Sequence, residues 1–524
     1  MNKRIKRIYV LMLILMIAVS APVSTLAENI YTSGLYKYKI KGNGTVSIID
    51  FDWNNNTGDL YIPSMLDGYV VSTISEQAFA NGNVADADPV LLVLPNTVTI
   101  IEEKAFFDSP ITSVSIPSSV QSIGFGAFAY CAISQFIVDP NHEYFAAIDG
   151  ALYDKKNKML LSYPQNPVSI KPIPNGIVRI DDYAFAGITI GAYTTFDQKK
   201  GNIHFTDLLP DTVISIGAHA FENCVLYYDT VDNDEGIEFA SLRESVSLMP
   251  SSVEEVGEYA FYGCTFRNNS FSRVTEVLLG EGIADIGDRA FQNCRWYDMN
   301  EYKLNITGQN RLKRVGNYAF ADSIIYTQNK ETGLVRIVLP TRIDEIGEYA
   351  FSSTHWVDVS NTQVIKALNV GAFKNTIVFS DIASEKYKPD CPCAITIWGN
   401  IVNVPDEAFL YSYATPENTI HTLIVVEGIK SIGASAFNGW TWLSNVVLPE
   451  SLQCIEENAF IGCDNLTTLT LPESVSYIGD NAFQREIITL NVRQDSYAAL
   501  WASENGYSYQ YVEDLASDLD WLTP

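Results

Sequence analysis

The sequence predicts an α/β solenoid of about fourteen coils, with short strands on one face and short helical or 3₁₀ turns on the other. Three observations predict it. An Ala-Phe pair recurs fourteen times, at Phe79, Phe106, Phe128, Phe185, Phe221, Phe261, Phe291, Phe320, Phe351, Phe373, Phe409, Phe437, Phe460 and Phe483. An aliphatic residue stands four positions ahead of every Ala, from Ile74 to Ile478. A small residue follows most of these Phe residues by three, as at Ser109, Cys131, Cys224, Thr354 and Cys463. A unit kept this often marks a chain built by stacking, with each copy burying its apolar side on the next.

The chain opens with Lys3, Arg4, Lys6 and Arg7, an apolar run from Ile8 to Val19, and Thr25-Leu26-Ala27. A basic start, a run too short to span a bilayer comfortably and small residues before Glu28 predict a secretory signal peptide over residues 1–27. No Cys follows that run to accept lipid, and no apolar or sorting segment follows Trp521, so release or non-covalent wall attachment is expected. The formal net charge is −28, and removing four basic residues brings the secreted chain to about −32. Such a surface repels phosphate backbones and anionic lipid. Nucleic-acid partners and membrane insertion are therefore not expected.

Within one unit, Leu469-Thr470-Leu471 alternates apolar and polar residues as a short strand does, and Pro472 ends it because proline brings no N–H to a ladder. Val475-Ser476-Tyr477-Ile478 again sets apolar residues to one side. Gly follows the aliphatic residue in eight units, Gly124 and Gly479 among them, which predicts a turn conformation hostile to side chains with a Cβ. Ile and Ala four apart share a face, so Gly-x-x-Ala-Phe predicts one helical or 3₁₀ turn.

The pattern Leu-Pro-Glu-Ser-Val-x-x-Ile-Gly-x-x-Ala-Phe-x-x-Cys resembles the repeat of BspA-like leucine-rich proteins, mostly bacterial surface and secreted proteins. The resemblance spans about residues 70–490 and implies a right-handed leucine-rich-repeat array. Gly34–Ile48 with Leu60–Pro63 and Leu66–Val70 resembles the family's N-terminal cap, and Val492–Gly506 resembles its closing helix. The expected organisation is a signal peptide at 1–27, a cap at 28–70, the solenoid at 71–490 with a hairpin near 142–165, and a C-terminal cap and tail at 491–524. The resemblance implies adhesion to host proteins or cell–cell contact, and it carries over no catalytic residue.

Five cysteines occupy the small-residue slot, so packing explains them as buried free thiols. Cys224, Cys264 and Cys294 fall in consecutive units, near enough to pair if adjacent coils stack at strand spacing. Cys391 and Cys393 stand apart in an insertion with no nearby His or second Cys pair. The period breaks after Phe128, where 57 residues reach Phe185, and after Phe221, where 40 reach Phe261. Asp149–Asp154 and Met159–Pro164 predict a hairpin with a structural role. Asp232-Asn-Asp-Glu235 is acidic but lacks the spaced loop of an EF-hand. No metal and no cofactor are expected.

Aromatic residues gather where the period breaks, and Trp and Tyr dominate binding hot spots. Tyr227, Tyr228, Trp296, Tyr297 and Trp356 are therefore the candidate binding residues, on loops beside the strand-lined face. The five histidines share no repeat phase, and no nucleophile elbow, His-Glu-x-x-His motif or phosphate loop is present. The expected function is a secreted or cell-surface binding module, monomeric and non-catalytic, for an extracellular protein or glycan. The alternatives are a solenoid polysaccharide lyase or glycosidase, and a structural wall-coat protein.

Overall fold

A computed structural model describes residues 29–512 apart from 57, 83–88, 166–169, 192–204, 230–244, 269–275, 298–302, 308–310, 326–335, 355, 360–361, 380–393, 398–400 and 412–421. Strands dominate it. Among the described residues the helices are Tyr497–Glu504 and two 3₁₀ turns, Trp53–Asn55 and Phe205–Asp207. The repeats place their strands in parallel register, coil on coil, as in Arg179–Ile180, Ser215–Ile216, Glu255–Val256, Asp285–Ile286 and Arg314–Val315 of a ten-stranded sheet. Each such pair turns its aliphatic member inward, and Ile180, Ile216, Val256, Ile286 and Val315 are all buried.

The phenylalanines form the spine. Phe79, Phe106 and Phe128 stack in succession, and a second column runs without a break from Phe185 to Phe483. Centroids in the middle of that column lie 5.0 and 5.1 Å apart with planes within 6°. Burying each ring stabilises the fold by about 1.5–3 kcal/mol, and stacking adds further.

The turn side departs from the helical expectation. The residue before every repeat Ala has a positive φ, for example Lys104 (52°), His219 (55°), Tyr259 (54°) and Asn458 (56°). A left-handed residue cannot continue a right-handed turn, so the segment folds as successive tight turns. Its amides alternate in destination. Ala105 N–H returns to Glu102 O within the coil, while Phe106 N–H reaches Ala127 O on the next. The same Phe-to-Ala bond recurs at 2.7–2.9 Å, as from Phe221 to Ala260, Phe291 to Ala319 and Phe437 to Ala459.

The repeat glycine serves a different purpose from the one its position suggested. Gly287 does not have a positive φ; a Cβ there would lie 2.6 Å from the backbone carbon of Gly257 in the preceding coil. Close approach excludes the side chain. The small-residue slot also gains a definite role. Cys131, Cys224, Cys264 and Cys294 donate their thiols to the carbonyls of Phe106, Phe185, Phe221 and Phe261, one coil back, at 2.9–3.0 Å. Ser323 and Thr354 do the same with hydroxyls at 2.6 and 2.7 Å. Trp440, too large for a small slot, still donates Nε1–H to Phe409 O at 2.8 Å. These four cysteines, with Cys454 and Cys463, are free thiols. Cys391 and Cys393 lie outside the described residues.

The break after Phe128 is filled by antiparallel strands, Phe145–Ile148, Ala151–Asp154 and Met159–Ser162, the last of which pairs in parallel with Arg179–Ile180. Alternation gives them two apolar faces. Leu152 and Leu161 join the N-terminal core, while Ala151, Tyr153, Leu160 and Tyr163 join the larger C-terminal core. Tyr163 resumes the column, stacked 4.8 Å from Phe185. The hairpin is thus a partition shared by both cores. At the ends, Trp53 Nε1–H and Tyr507 O–H donate to the carbonyls of Phe79 and Phe483 at 3.1 Å, and Ser496 caps the closing helix by accepting from Ala499 N–H.

Asp181 occupies the glycine position beside this partition and is 4% exposed. Burial pushes its carboxyl up from 3.8 to about 6, and the carboxylates of Asp182 and Asp154 add to the rise. The Asp182 N–H and the guanidinium of Arg179, 3.7 Å away, offset only part of it. An acid whose folded pKa is raised loses stability as pH climbs from its unfolded value through the folded one. Asp181→Asn should therefore be more stable than the parent at pH 7–8, by on the order of 2–3 kcal/mol. The two should converge near pH 4, as read by urea denaturation at both pH values; an equal difference at both would refute the assignment.

Candidate functional site

Five consecutive coils place a strand directly after the small-residue slot: Thr189–Ile190, Val225–Asp229, Thr265–Asn268, Arg295–Tyr297 and Ile324–Ile325, all parallel. Period-2 alternation then sorts the predicted aromatics. Leu226, Phe266 and Trp296 share one register row and point inward, where Phe266 and Trp296 stack at 3.9 Å. Trp296 is 1% exposed. Tyr228 is also 1% exposed, turned inward next to a register shift between Tyr227 and Asp229. These two candidates are core residues, not surface ones: the post-Phe segment is a strand with a buried face, where a loop was expected.

Tyr227 and Tyr297 fall on the opposite face, in register with Arg267 on the strand between them. All three are half-buried. The Arg267 guanidinium lies 5.0 Å from the Tyr297 ring centroid, a cation–π contact. Arg267 was not among the sequence candidates. The signal for it was available, since Tyr227, Arg267 and Tyr297 each stand three residues after a slot cysteine. Trp356 begins the strand Trp356–Asp358 in a separate six-stranded sheet, paired in register with Ile377. It is therefore not in the Tyr227–Arg267–Tyr297 row.

A second outward row runs along the left-handed turn residues. His219 stacks between Tyr183 and Tyr259 at 4.5 and 4.7 Å, its Nδ1 2.9 Å from Glu222 Oε2. Arg289 lies over Tyr259 and Tyr318, Tyr318 stacks on Tyr349 at 5.2 Å, and Lys374 lies over Tyr349. Lys104 covers Tyr183 at the other end. Gly371 interrupts the row because a Cβ there would meet the Tyr349 ring at 2.3 Å. These rings spend their faces on one another, so the row ties coils together and offers a ligand only ring edges.

The carboxylates near the repeat turns are also engaged. Asp182, Asp288 and Asp406 each accept the backbone N–H of the following coil at 2.8–3.0 Å, from Ala218, Asn317 and Ala434. Asp285 is gripped by Arg314 through Nε and Nη2. An open cleft of about 730 Å³ at the N-terminal cap is lined by Tyr31, Lys39, Lys41, Glu76 and Glu102. Its Lys41 ammonium is held by Thr73 Oγ1 at 2.5 Å and Glu102 accepts from Glu76 N–H. Among the described residues, no three His, Cys, Asp or Glu side chains gather as a metal site, and no helix is long and apolar enough to cross a membrane. The acidic run 232–235 lies outside the described residues.

A family model described as the BspA type leucine-rich repeat region, in six copies, matches residues 72–172, 189–324, 237–379 and 394–496. No curated protein matches the chain. Among solved structures, a leucine-rich repeat protein from Bacteroides ovatus is 16% identical, covering 92% of this chain and 100% of its own, with a TM-score of 0.38. A leucine-rich cell surface protein from Faecalibacterium prausnitzii is 15% identical over 94% of this chain and 97% of its own, with a TM-score of 0.31. The repeat unit, its regular return and the extent of the family match agree: this chain belongs to the BspA-type leucine-rich-repeat family.

Proposed function

We propose that this chain is a secreted or cell-surface binding module, a right-handed array of about fourteen coils that works as a monomer and recognises an extracellular protein or glycan. The observation that carries the reading is the outward row Tyr227–Arg267–Tyr297 on adjacent parallel strands. It combines amphipathic rings and a cation on a face held rigid by the core beneath it. Strands Val225–Asp229, Thr265–Asn268 and Arg295–Tyr297 carry the row across three consecutive coils. The reading is non-catalytic because the repeat-turn acids above serve as acceptors for neighbouring coils, a structural use of the groups a lyase or glycosidase would need. Secretion rests on the signal-peptide pattern of residues 1–27.

The test is a binding screen of the secreted chain against host matrix proteins and bacterial wall glycans by biolayer interferometry. Tyr227→Ala, Arg267→Ala and Tyr297→Ala should each weaken the captured ligand at least tenfold while leaving the melting temperature near that of the parent. Trp296→Ala should instead destabilise the fold by about 3–5 kcal/mol, as removal of a buried indole does. Unchanged affinity in all three surface variants would refute this surface as the binding face.

A further inference from the structure

We infer that the Tyr227–Arg267–Tyr297 row takes a glycan carrying a carboxylated sugar, with Arg267 as the partner of the carboxylate. The inference rests on the binding reading above and deepens it. Among the described residues, Arg267 Nε is shielded from solvent and has no hydrogen-bond acceptor. A shielded donor without an acceptor is costly and uncommon, and it marks a place where an incoming acceptor is strongly favoured. The Tyr297 ring occupies one face of the guanidinium. Its in-plane N–H donors form the fork that matches a carboxylate.

Local charge agrees. Arg267 and Arg295 put two cations on adjacent strands of this face. Arg295 stands exposed two residues before Tyr297, on the same side of its strand. At physiological salt a charge is felt over about 8 Å, so these two cations favour an anion seated on the row itself. A polynucleotide would carry its phosphates out over the acidic surroundings. An isolated carboxylate among neutral sugars would not.

The strand arrangement also argues against a peptide added by backbone pairing. Thr265–Asn268 is bonded on both sides, to Val225–Asp229 and to Arg295–Tyr297, and offers no free edge. Recognition there must go through side chains. The flanking tyrosines stand one strand away on either side, about 4.8 Å per step. That places two rings with polar tips around one guanidinium, a spacing suited to a sugar ring and its acid.

The experiment is isothermal titration of the full secreted chain with tetragalacturonate, a glucuronate-containing tetrasaccharide and sialyllactose, each beside its methyl ester. At least one acid should bind, and its ester at least tenfold more weakly. Arg267→Gln should lower affinity for the acid to that for the ester, and Arg267→Lys should fall between. If Arg267→Gln fails to fold, the acid-against-ester comparison on the parent chain decides alone. Equal binding of acid and ester, full affinity in Arg267→Gln, or no binding by any acid would overturn the inference. A neutral glycan or protein that binds and is lost on Tyr227→Ala would then leave the binding reading standing without its acidic ligand. Ligands that bind regardless of Tyr227→Ala and Tyr297→Ala would remove both.

Discussion

The structure depends on one bond and one contact, repeated together. Twelve of the repeat Phe residues send their amide to the Ala carbonyl of the next coil, as Phe291 does to Ala319 at 2.7 Å, and the Phe291 ring lies on the next ring at 5.1 Å. The two constrain each other. Backbone at hydrogen-bonding distance fixes the coil spacing, and that spacing suits stacked aromatic rings. Ala beside Phe follows, since a larger side chain in that buried position would hold the turns apart. The glycine at Gly287 follows as well, because a Cβ there has no room against the previous coil. A single coil has no such partners and no interior of its own.

Interruptions test that logic, and the chain meets each one with a substitute. Where 57 residues separate Phe128 from Phe185, the hairpin gives one face to each core and Tyr163 stands in for the missing ring. Where the slot holds Trp440 in place of a small residue, the indole N–H makes the bond a thiol or hydroxyl makes elsewhere. At both ends, Trp53 and Tyr507 supply a donor to a terminal Phe carbonyl. The column's polar rail is therefore served by the side chains of five residue types, Cys, Ser, Thr, Trp and Tyr. That range explains why the slot looks loosely conserved in kind along the chain while its role stays constant.

Much of the fold was legible because burial imposes a period. Phe, Ala and the aliphatic residue return in phase since each must reach the same interior. The glycine's role was not legible, because one residue answers two different demands, positive φ and close approach, and only the second applies here. Tyr228 and Trp296 were misplaced for a related reason. A broken period suggested loops, yet each insertion begins as a strand, and two-residue alternation turns Trp296 in line with Leu226 and Phe266. Alignment on the slot cysteines, not on the phenylalanines, separates that inward row from the outward one and adds Arg267. The stacked surface row through His219 had no sequence signal beyond a mixed Tyr, His and Arg position, since its side chains meet only once coils are superposed.

The coils supply one another's interior within two cores divided by the hairpin. Hydrogen exchange of Phe291→Ala, compared with the parent residue by residue, tests it most directly. Protection should fall most at the coils of Phe261, Phe291 and Phe320, decline with distance along the column, and leave the core around Phe79 and Phe106 unchanged. Loss confined to the mutated coil, or loss equal at Phe79 and Phe320, would contradict it.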